Sequence, residues 1–429
     1  MVIIGLILYN ALATLAFLVC WPYLLAACLL GRRGKWRDRC GRIPRGDGRP
    51  VWIHASSVGE VGVIAPLVAE LKKRRPAQAI AISTMTGTGQ ARAKDLFCQA
   101  ATIFFFPLDF FWVQARTLRR LDPALVILVE TELWPNLLWQ CHQRKIPVML
   151  VNARLSERSL PHYIRFAFLF RPLLDTFRVI ACQSEVDAER YRSLGVKPEI
   201  VRMLGNMKYD GIKGPVEAAE KEKIRRKFGI PTDAVVLTAG STREGEETLV
   251  LDAWAAVMQN QKIKIQNAKL LIAPRHPARF AEVEDLLKKR AVKYRSRSQQ
   301  RKTGILAEFD ILLLDSIGEL VSAYAAADMA FVAGSLVPVG GHNPLEPAAL
   351  GLPVVFGPHM FNAQESADSL LAAGGAQQVD SADTLAAVIS EWVGDPEKRR
   401  HIGQMAEKVV DEKRGSVRRT IEVVGTILT

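Results

Sequence analysis

No two cysteines in this chain are spaced to share a ligand. The six lie at positions 20, 28, 40, 98, 141 and 182, with no CxxC pair and no Cys/His cluster at metal spacing. That excludes a sulfur-based zinc or iron centre and a disulfide scaffold, and reads as reduced, structural thiols in a cytosolic setting. No strand is followed by GxGxxG, and GxxxxGK[ST] and GxSxG are also missing. A dinucleotide fingerprint, a P-loop and a hydrolase nucleophile elbow are thereby excluded. Basic residues are not interleaved with aromatics, as single-strand nucleic-acid binding would require. Acidic residues are outnumbered, 44 Asp and Glu against 57 Lys and Arg, for a net charge of +13.

Charge is absent altogether from the first thirty residues. Roughly 20 apolar helical residues span a bilayer core. Residues 31–50 then hold eight Arg or Lys against two Asp, so the charge is concentrated and fits an anionic surface. By the positive-inside rule this pattern predicts an N-terminal transmembrane helix over residues 1–30, with the body of the protein on the cytoplasmic side of the membrane. Leu25-Ala26-Ala27-Cys28 resembles a lipoprotein cleavage box. With no basic stretch before the apolar run, an uncleaved anchor is the better reading, against cleavage or shallow interfacial lodging.

The hydrophobic fraction of 49% over 429 residues permits two or three domains with large cores. From Val51 to about Gly205 apolar runs alternate with helical segments: VWIHAS (51–56), AIAISTM (79–85), TIFFFP (102–107), ALVILVE (124–130), PVMLVNA (147–153) and VIACQS (179–184). Residues 206–222 read as a hinge. The rhythm resumes with VVLTAG (235–240), KLLIAP (269–274), ILLLDS (311–316), MAFVAG (329–334) and PVVFG (353–357). Such alternation predicts two α/β, doubly wound, mostly parallel sheets, with ligands in the cleft outside the strand C-termini. The expected domains are 31–207 and 208–429, with the last helix packing back across the first. RSRSQQRKTG (295–304) reads as a mobile surface loop.

The most informative stretch is GSLVPVGGHNPLEPAALGLPVVFGP (334–358). It predicts a strand, a glycine turn, a helix opening near Asn343 and Pro344, and a second strand. A helix N-terminus suits a phosphate, and Glu346 in the first turn can accept from a sugar diol, which together suggest a nucleotide. In HASSVGE (54–60), Glu60 opens a helix after a strand and is a candidate general base, or a capping carboxylate. Glu130 and Glu132 in VETELWPN end an apolar run, where a carboxylate is costly without a partner. The open readings for Glu130 are a cleft-lining group and a structural ion pair. Two carboxylates would also serve a glycosidase. Lys208 in GNMKYDG can meet a phosphate as a point charge. In GSTREGEE (240–247), Ser241, Thr242 and Arg243 offer donors, and helix capping by Ser or Thr is the simplest account. Arg275 and His276 in PRHP suit phosphate, and Gly318 in DSIGEL supplies a backbone turn for a base or ribose. Phe166, Phe168 and Phe170 with Arg165 and Arg171 fit either a lipid-facing segment or a core helix.

These pieces occur together and in order over nearly the whole chain. The apolar N-terminus, HASSVGE, STMTGTG, ETELWPN, NARLSERS, GNMKYD, GSTREGEE, PRHP, GEL and GGHNPLEPAALGLPVVFGPH jointly resemble the bacterial 3-deoxy-D-manno-octulosonic acid (Kdo) transferases. These are membrane-anchored, GT-B glycosyltransferases of lipopolysaccharide synthesis. Ile317 stands where DTMGEL-like versions carry Met, and the stretch before the first strand is short. The resemblance implies CMP-Kdo as donor, the lipid A precursor as acceptor, no cofactor, no metal and no nucleic-acid partner. It implies Glu60 as proton acceptor and Glu130 and Lys208 as transition-state stabilisers. Arg275, His276, Ile317, Gly318, Glu319, Asn343, Pro344, Leu345 and Glu346 would hold the CMP. A GT-B transferase using a UDP-sugar and a lipid-linked acceptor is the alternative, and a non-catalytic membrane-tethered binder the rival from another class.

Overall fold

Short apolar runs separated by helical segments bury strands on both faces, and a computed structural model shows how. It describes residues 2–29, 33–45, 48–260, 267–303 and 308–429. The chain divides into one unit of Met1–Gly211 with Lys413–Thr429, and a second of Ile212–Glu412, which places Lys208 in the first. The first holds β1 (Val51–His54), β2 (Ile80–Thr84), β3 (Thr102–Phe105), β4 (Leu125–Val129), β5 (Val148–Ala153), β6 (Val179–Cys182) and β7 (Val201–Met203). The second holds β8 (Val235–Thr242), β9 (Ala268–Pro274), β10 (Tyr294–Ser296), β11 (Ile311–Leu313), β12 (Met329–Val332), β13 (Val354–Phe356) and β14 (Ala376–Gln378). Each set forms one seven-stranded sheet, ordered β3-β2-β1-β4-β5-β6-β7 and β10-β11-β9-β8-β12-β13-β14, with parallel neighbours throughout.

Side chains alternate between two cores in each unit. In the first, Trp52, Val126 and Leu128 join one cluster, and Val51, Ile53, Leu125, Ile127 and Val129 join the cluster on the opposite face. In the second, Leu237, Ala239, Leu270 and Ile272 face one cluster, and Val236 and Leu271 the other. This double burial is why the central strands read as unbroken apolar runs. Chain order reverses at β1/β4 in the first sheet and at β8/β12 in the second. Such switch points open the crevices in which doubly wound sheets bind ligands.

The transmembrane helix expected over residues 1–30 is not found. Among the described residues no helix is long and apolar enough to cross a membrane. A helix does run over Val2–Leu29, and two of its polar side chains, Tyr9 and Asn10, dock on the first unit. Tyr9 donates to Asp109 at 3.1 Å, Asn10 donates to Asn136 at 2.9 Å, and Phe17 meets Phe110 edge to face. Buried Asp109 is pushed up to about 6 by desolvation, against backbone N–H donation from Asn136 and Leu137 and the Tyr9 hydroxyl. Part of the basic stretch is likewise spent on the protein, since Arg39 donates to the Met85 carbonyl at 2.7 Å. Residues 31–32 and 46–47 of that stretch, residue 30 before it, and the side chains of Cys20 and Cys28 lie outside the described residues. Cys40, Cys98, Cys141 and Cys182 are free thiols.

The expected surface loop at 295–304 is also corrected. Its start is the end of β10 and its bulk a helix, Arg297–Thr303; residue 304 lies outside the described residues. Ser296, Arg297 and Gln300 are buried. A polar segment buries here because its groups are paired: Arg297 donates to Glu319 and to the Lys227 carbonyl, and Gln300 donates to the Phe228 carbonyl. Phe166 joins two short helices, Leu160–Arg165 and Ala167–Leu174; Phe166 and Phe168 are exposed, while Leu173 and Leu174 enter the first unit's core, so the segment meets the core-helix reading on one face and leaves these rings outside it. The terminal helix Ser416–Ile427 packs within the first unit, its Val417, Ile421, Val423 and Val424 completing the second of that unit's cores.

Candidate active site

In the first unit the site is built where β1 and β4 end. After His54 the chain turns through Ser56 and Ser57 into the helix Val58–Val63. Ser57 caps that helix, accepting from the Glu60 N–H. Glu60 folds back over its own N-terminus and is 9% exposed. Its carboxylate accepts from the Ser56 N–H at 2.8 Å, the Ser56 hydroxyl at 2.6 Å and the Ser57 hydroxyl at 2.9 Å. All three donors come from the turn that opens its own helix, as the capping reading expects.

Glu130 follows β4 directly and adopts φ 62°, a left-handed backbone that non-glycine residues adopt at a cost. Its carboxyl is raised above the usual range, chiefly by burial. Lys208 pulls it down, Glu60 pushes it up, and Arg154 and Glu132 contribute with opposite signs. Glu60, Glu130 and Lys208 therefore share one electrostatic environment. The Lys208 loop is fixed from beneath. Asn152, itself at φ 53°, accepts from the Met207 N–H at 3.0 Å, and Asn206 accepts from the Lys208 N–H at 3.0 Å, which leaves the Lys208 side chain exposed.

In the second unit the ends of β8, β9, β11 and β12 converge. Arg243 donates to His276 at 2.5 Å and to His342 at 3.3 Å. His342 is pushed down to about 4, first by burial, then by Arg243, Arg275 and His276. Glu346 is raised by burial, with Asn343 and Arg275 opposing. Asn343 accepts from the Leu345 N–H at 3.1 Å, and Pro344 caps the short helix Leu345–Ala349. Arg275, Ile317 and Gly318 line one small pocket with Ser241. Ile317 is 81% exposed. Glu319 differs from its neighbours. Its carboxylate takes Arg297 at 3.2 Å, Arg301 at 2.8 Å and Ser316 at 2.6 Å. Burial would raise its pKa, but these partners bring it down to about 2. Guanidinium and imidazole groups beside a carboxylate and a glycine turn are a set whose chemistry suits a phosphate and a sugar hydroxyl.

Two comparisons identify the group of proteins to which this arrangement belongs. The family model for 3-deoxy-D-manno-octulosonic-acid transferase (kdotransferase) matches residues 34–211, and that for glycosyl transferases group 1 matches residues 220–409. The 3-deoxy-D-manno-octulosonic acid transferase of Haemophilus influenzae is 34% identical over 427 residues, covering 96% of this chain and 97% of that protein. The chain belongs to the Kdo transferase family. It is therefore a glycosyltransferase. The Bordetella pertussis Kdo transferase is 31% identical over 408 residues, 94% of this chain and 91% of that one. Among solved structures, UDP-GlcNAc 2-epimerase from Neisseria meningitidis, bound to UDP-GlcNAc, superimposes with a TM-score of 0.60 at 14% identity, over 88% of this chain and 100% of that one. At that identity it shows the fold alone, the GT-B pairing of two Rossmann-like sheets.

Several site residues of this Kdo transferase escaped the sequence reading. Ser241 and Thr242 cap nothing: both belong to β8, and the following helix, Glu246–Gln259, starts from Gly245 without a side-chain cap. Glu246 is the residue that matters. Fully buried, it accepts from the N–H groups of Arg243 at 3.0 Å, Gly334 at 2.7 Å, Ser335 at 3.0 Å and Leu336 at 3.0 Å. It thus ties the turn after β12 to the end of β8. The available signal was an acid three residues after Arg243, and a capping rule absorbed it. His342 was visible only as part of a motif, and Ser56 only as a small residue before Glu60.

Proposed function

We propose that this Kdo transferase moves Kdo from CMP-Kdo to a hydroxyl of the lipid A precursor with inversion, in lipopolysaccharide core biosynthesis. The observation that carries the reading is the shared setting of Glu60, Glu130 and Lys208 at the β1/β4 switch point. Glu60 takes the acceptor's hydroxyl proton as the oxygen attacks the anomeric carbon. Its three hydrogen-bond donors orient the carboxylate for that work. Glu130 faces the positive charge that develops on the sugar ring, and its strained backbone holds it there. Lys208 suits the negative charge of a departing phosphate, and within the second unit Arg243, Arg275 and His276 suit the phosphate of CMP, a set of groups with which the reaction needs no metal. Asn343, Pro344, Leu345, Glu346, Ile317 and Gly318 hold the nucleotide. Glu319 acts through the turn it fixes, because its own carboxylate is occupied. An acylated acceptor places the reaction at the inner-membrane surface. Exposed Ile7, Leu8, Leu12, Leu15, Leu18 and Val19 on the first helix, with Phe166 and Phe168, supply an apolar face for that contact.

Mass spectrometry of products from CMP-Kdo and purified lipid acceptor, with chelator present, tests the assignment. Turnover with a UDP-sugar and none with CMP-Kdo would sink it. Glu60→Gln is expected to lower the transfer rate by about 10²–10⁴-fold, the usual contribution of a general base. An unchanged rate would remove Glu60 from the mechanism.

A further inference from the structure

Two glutamates stand side by side at the start of the helix Glu246–Gln259, and they hold different loops. Glu246 anchors the turn after β12 and the Arg243 N–H. Glu247, equally buried, reaches instead to the segment after β9, where it accepts from Arg279 Nη1 at 2.7 Å. Arg279 also donates from Nε and Nη2 to the two oxygens of Glu282, at 3.2 Å each. The proposed mechanism uses neither Glu247 nor Arg279. The two partners of Arg279 differ in what they fix. Glu282 lies three residues along the same segment and is 60% exposed, so its grip is local and weak. Glu247 is 1% exposed and belongs to another element, so its grip ties two parts of the fold together.

Arg279 ends the 3₁₀ turn Pro277–Arg279, and its N–H donates to the His276 carbonyl at 3.0 Å. On the other side, the Arg275 N–H donates to the Thr242 carbonyl at 3.1 Å. The PRHP segment is thus tied to the end of β8 and, through Arg279 and Glu247, to the helix Glu246–Gln259. The His276 ring then meets Arg243, whose N–H rests on Glu246. The links close a circuit: Glu247, Arg279, His276, Arg243, Glu246, and back along the chain to Glu247. A guanidinium has N–H groups and no lone pair, so Arg243 is the donor to His276 Nε2 and to His342 Nε2 alike. Each ring is therefore neutral, with its proton on Nδ1. For His276 that leaves a donor of the kind a phosphate oxygen accepts.

We infer that Glu247 and Arg279 are positioning residues for the donor's phosphate: the buried pair sets the PRHP turn so that His276 keeps this ring form beside Arg243. The inference rests on the proposed binding of CMP by Arg243, Arg275 and His276. Glu247 is sealed from any ligand. Arg279 has Nη1 engaged by Glu247 and Nε and Nη2 by Glu282. Both therefore act on the nucleotide only through the turn they fix. Supporting groups of this kind hold a binding geometry that the contacting side chains, two of them on a loop, do not hold alone.

Steady-state kinetics of the full chain with CMP-Kdo and the lipid acceptor, together with calorimetric titration of CMP, test this. Glu247→Gln keeps the shape and removes the charge, while Glu282 still compensates Arg279. It is expected to raise the CMP-Kdo KM and the CMP Kd about tenfold, the worth of one charge-assisted hydrogen bond. The acceptor KM and kcat are expected to stay within about twofold, a split that general loosening of the fold would not give. Arg279→Gln is expected to do the same, and the double variant to lie within about twofold of either single one, because a single link is broken. Nitrogen-15 spectra of the His276 ring give a second readout: the proton on Nδ1 in wild type, and a mixture of ring forms in each variant. Unchanged donor affinity in a folded variant, effects that multiply in the double variant, or an acceptor KM that rises equally overturns the inference. So does a wild-type His276 with its proton on Nε2, which needs no variant at all. Should Glu247→Gln fail to fold, Arg279→Gln, at the partly exposed end of the pair, decides among the variants. Wild-type enzyme that turns over a UDP-sugar and not CMP-Kdo would instead overturn the donor reading, so the two failures are told apart.

Discussion

Glu246 shows how much of a candidate site can rest on one fully buried side chain. Four backbone N–H groups converge on its carboxylate in a fully buried setting. Removing an acceptor leaves each donor unsatisfied at about 1–3 kcal/mol, though relaxation recovers part of that. Glu246→Ala is therefore expected to lower stability by about 3–5 kcal/mol in urea unfolding. A loss below about 1 kcal/mol would mean that the turn holds itself. His342 gives a second residue-scale expectation. It accepts from Arg243, and burial first, then Arg243, Arg275 and His276, push it down to about 4. The unfolded ring titrates near 6.5. Between those values the unfolded chain binds the proton and the folded chain does not, so stability is full above about 6.5 and falls as pH drops toward 4. Partial exposure limits the effect to about 1 kcal/mol. Following the His342 ring signals by NMR from pH 8 to 3.5 checks it: a midpoint near 6.5 would contradict the burial argument. Neither residue's task was legible beforehand. Sequence displays an acid or an imidazole in a motif, but not the direction in which the fold turns it.

At the scale of elements, the strands that sit inside a sheet were legible because both faces are buried, and a run such as ALVILVE has no other stable home. The edge strands β7, β10 and β14 were not. Each is three residues long, too short for any period, and β14 is the polar-flanked Ala376–Gln378. The helix Arg297–Thr303 was hidden for a different reason: its composition is that of a loop, and only pairing with Glu319 and backbone carbonyls lets it bury. The stretch 334–358 was the clearest signal in the chain, and its glycines explain why. Gly334 takes φ +72°, and a Cβ on Gly357 would stand 2.2 Å from the Ser335 carbonyl oxygen. The Ser335 hydroxyl is meanwhile the acceptor for the Gly357 N–H at 2.8 Å. Gly357→Ala has to push two backbones apart, and about 1–3 kcal/mol of destabilisation is expected, as for other overpacked sites. Thermal melts of this variant beside wild type measure it; an unshifted melting temperature would show that the turn yields freely.

Across the whole molecule, N-terminal hydropathy predicts a span where, among the described residues, no helix is long and apolar enough to cross a membrane. The uncharged N-terminal run has the composition of a span, yet Tyr9 and Asn10 commit one face of the helix to Asp109 and Asn136. A window average cannot see two polar side chains with buried partners. The other end of the chain carries the strongest whole-molecule expectation. The chain leaves the first unit after Gly211 and returns to it at Lys413. There Asp210 accepts from the Gly415 N–H at 2.8 Å and the Val417 N–H at 3.2 Å, Ser416 donates to the Gly205 carbonyl, and Arg419 donates to the Leu204 carbonyl. Val417, Ile421, Val423 and Val424 then cover a core that includes Val61, Ile64, Leu67, Leu204 and Met207. Burying such side chains is worth about 1.5–3 kcal/mol each. A chain ending at residue 413 would lose most of that from the first unit, while the second keeps its own two cores intact. Calorimetry of the truncated chain should therefore resolve two transitions, the lower one moved down by at least about 10 °C and the upper one unmoved. A single transition, shifted as a whole, would mean that the two units melt as one cooperative body and that the terminal helix stabilises both.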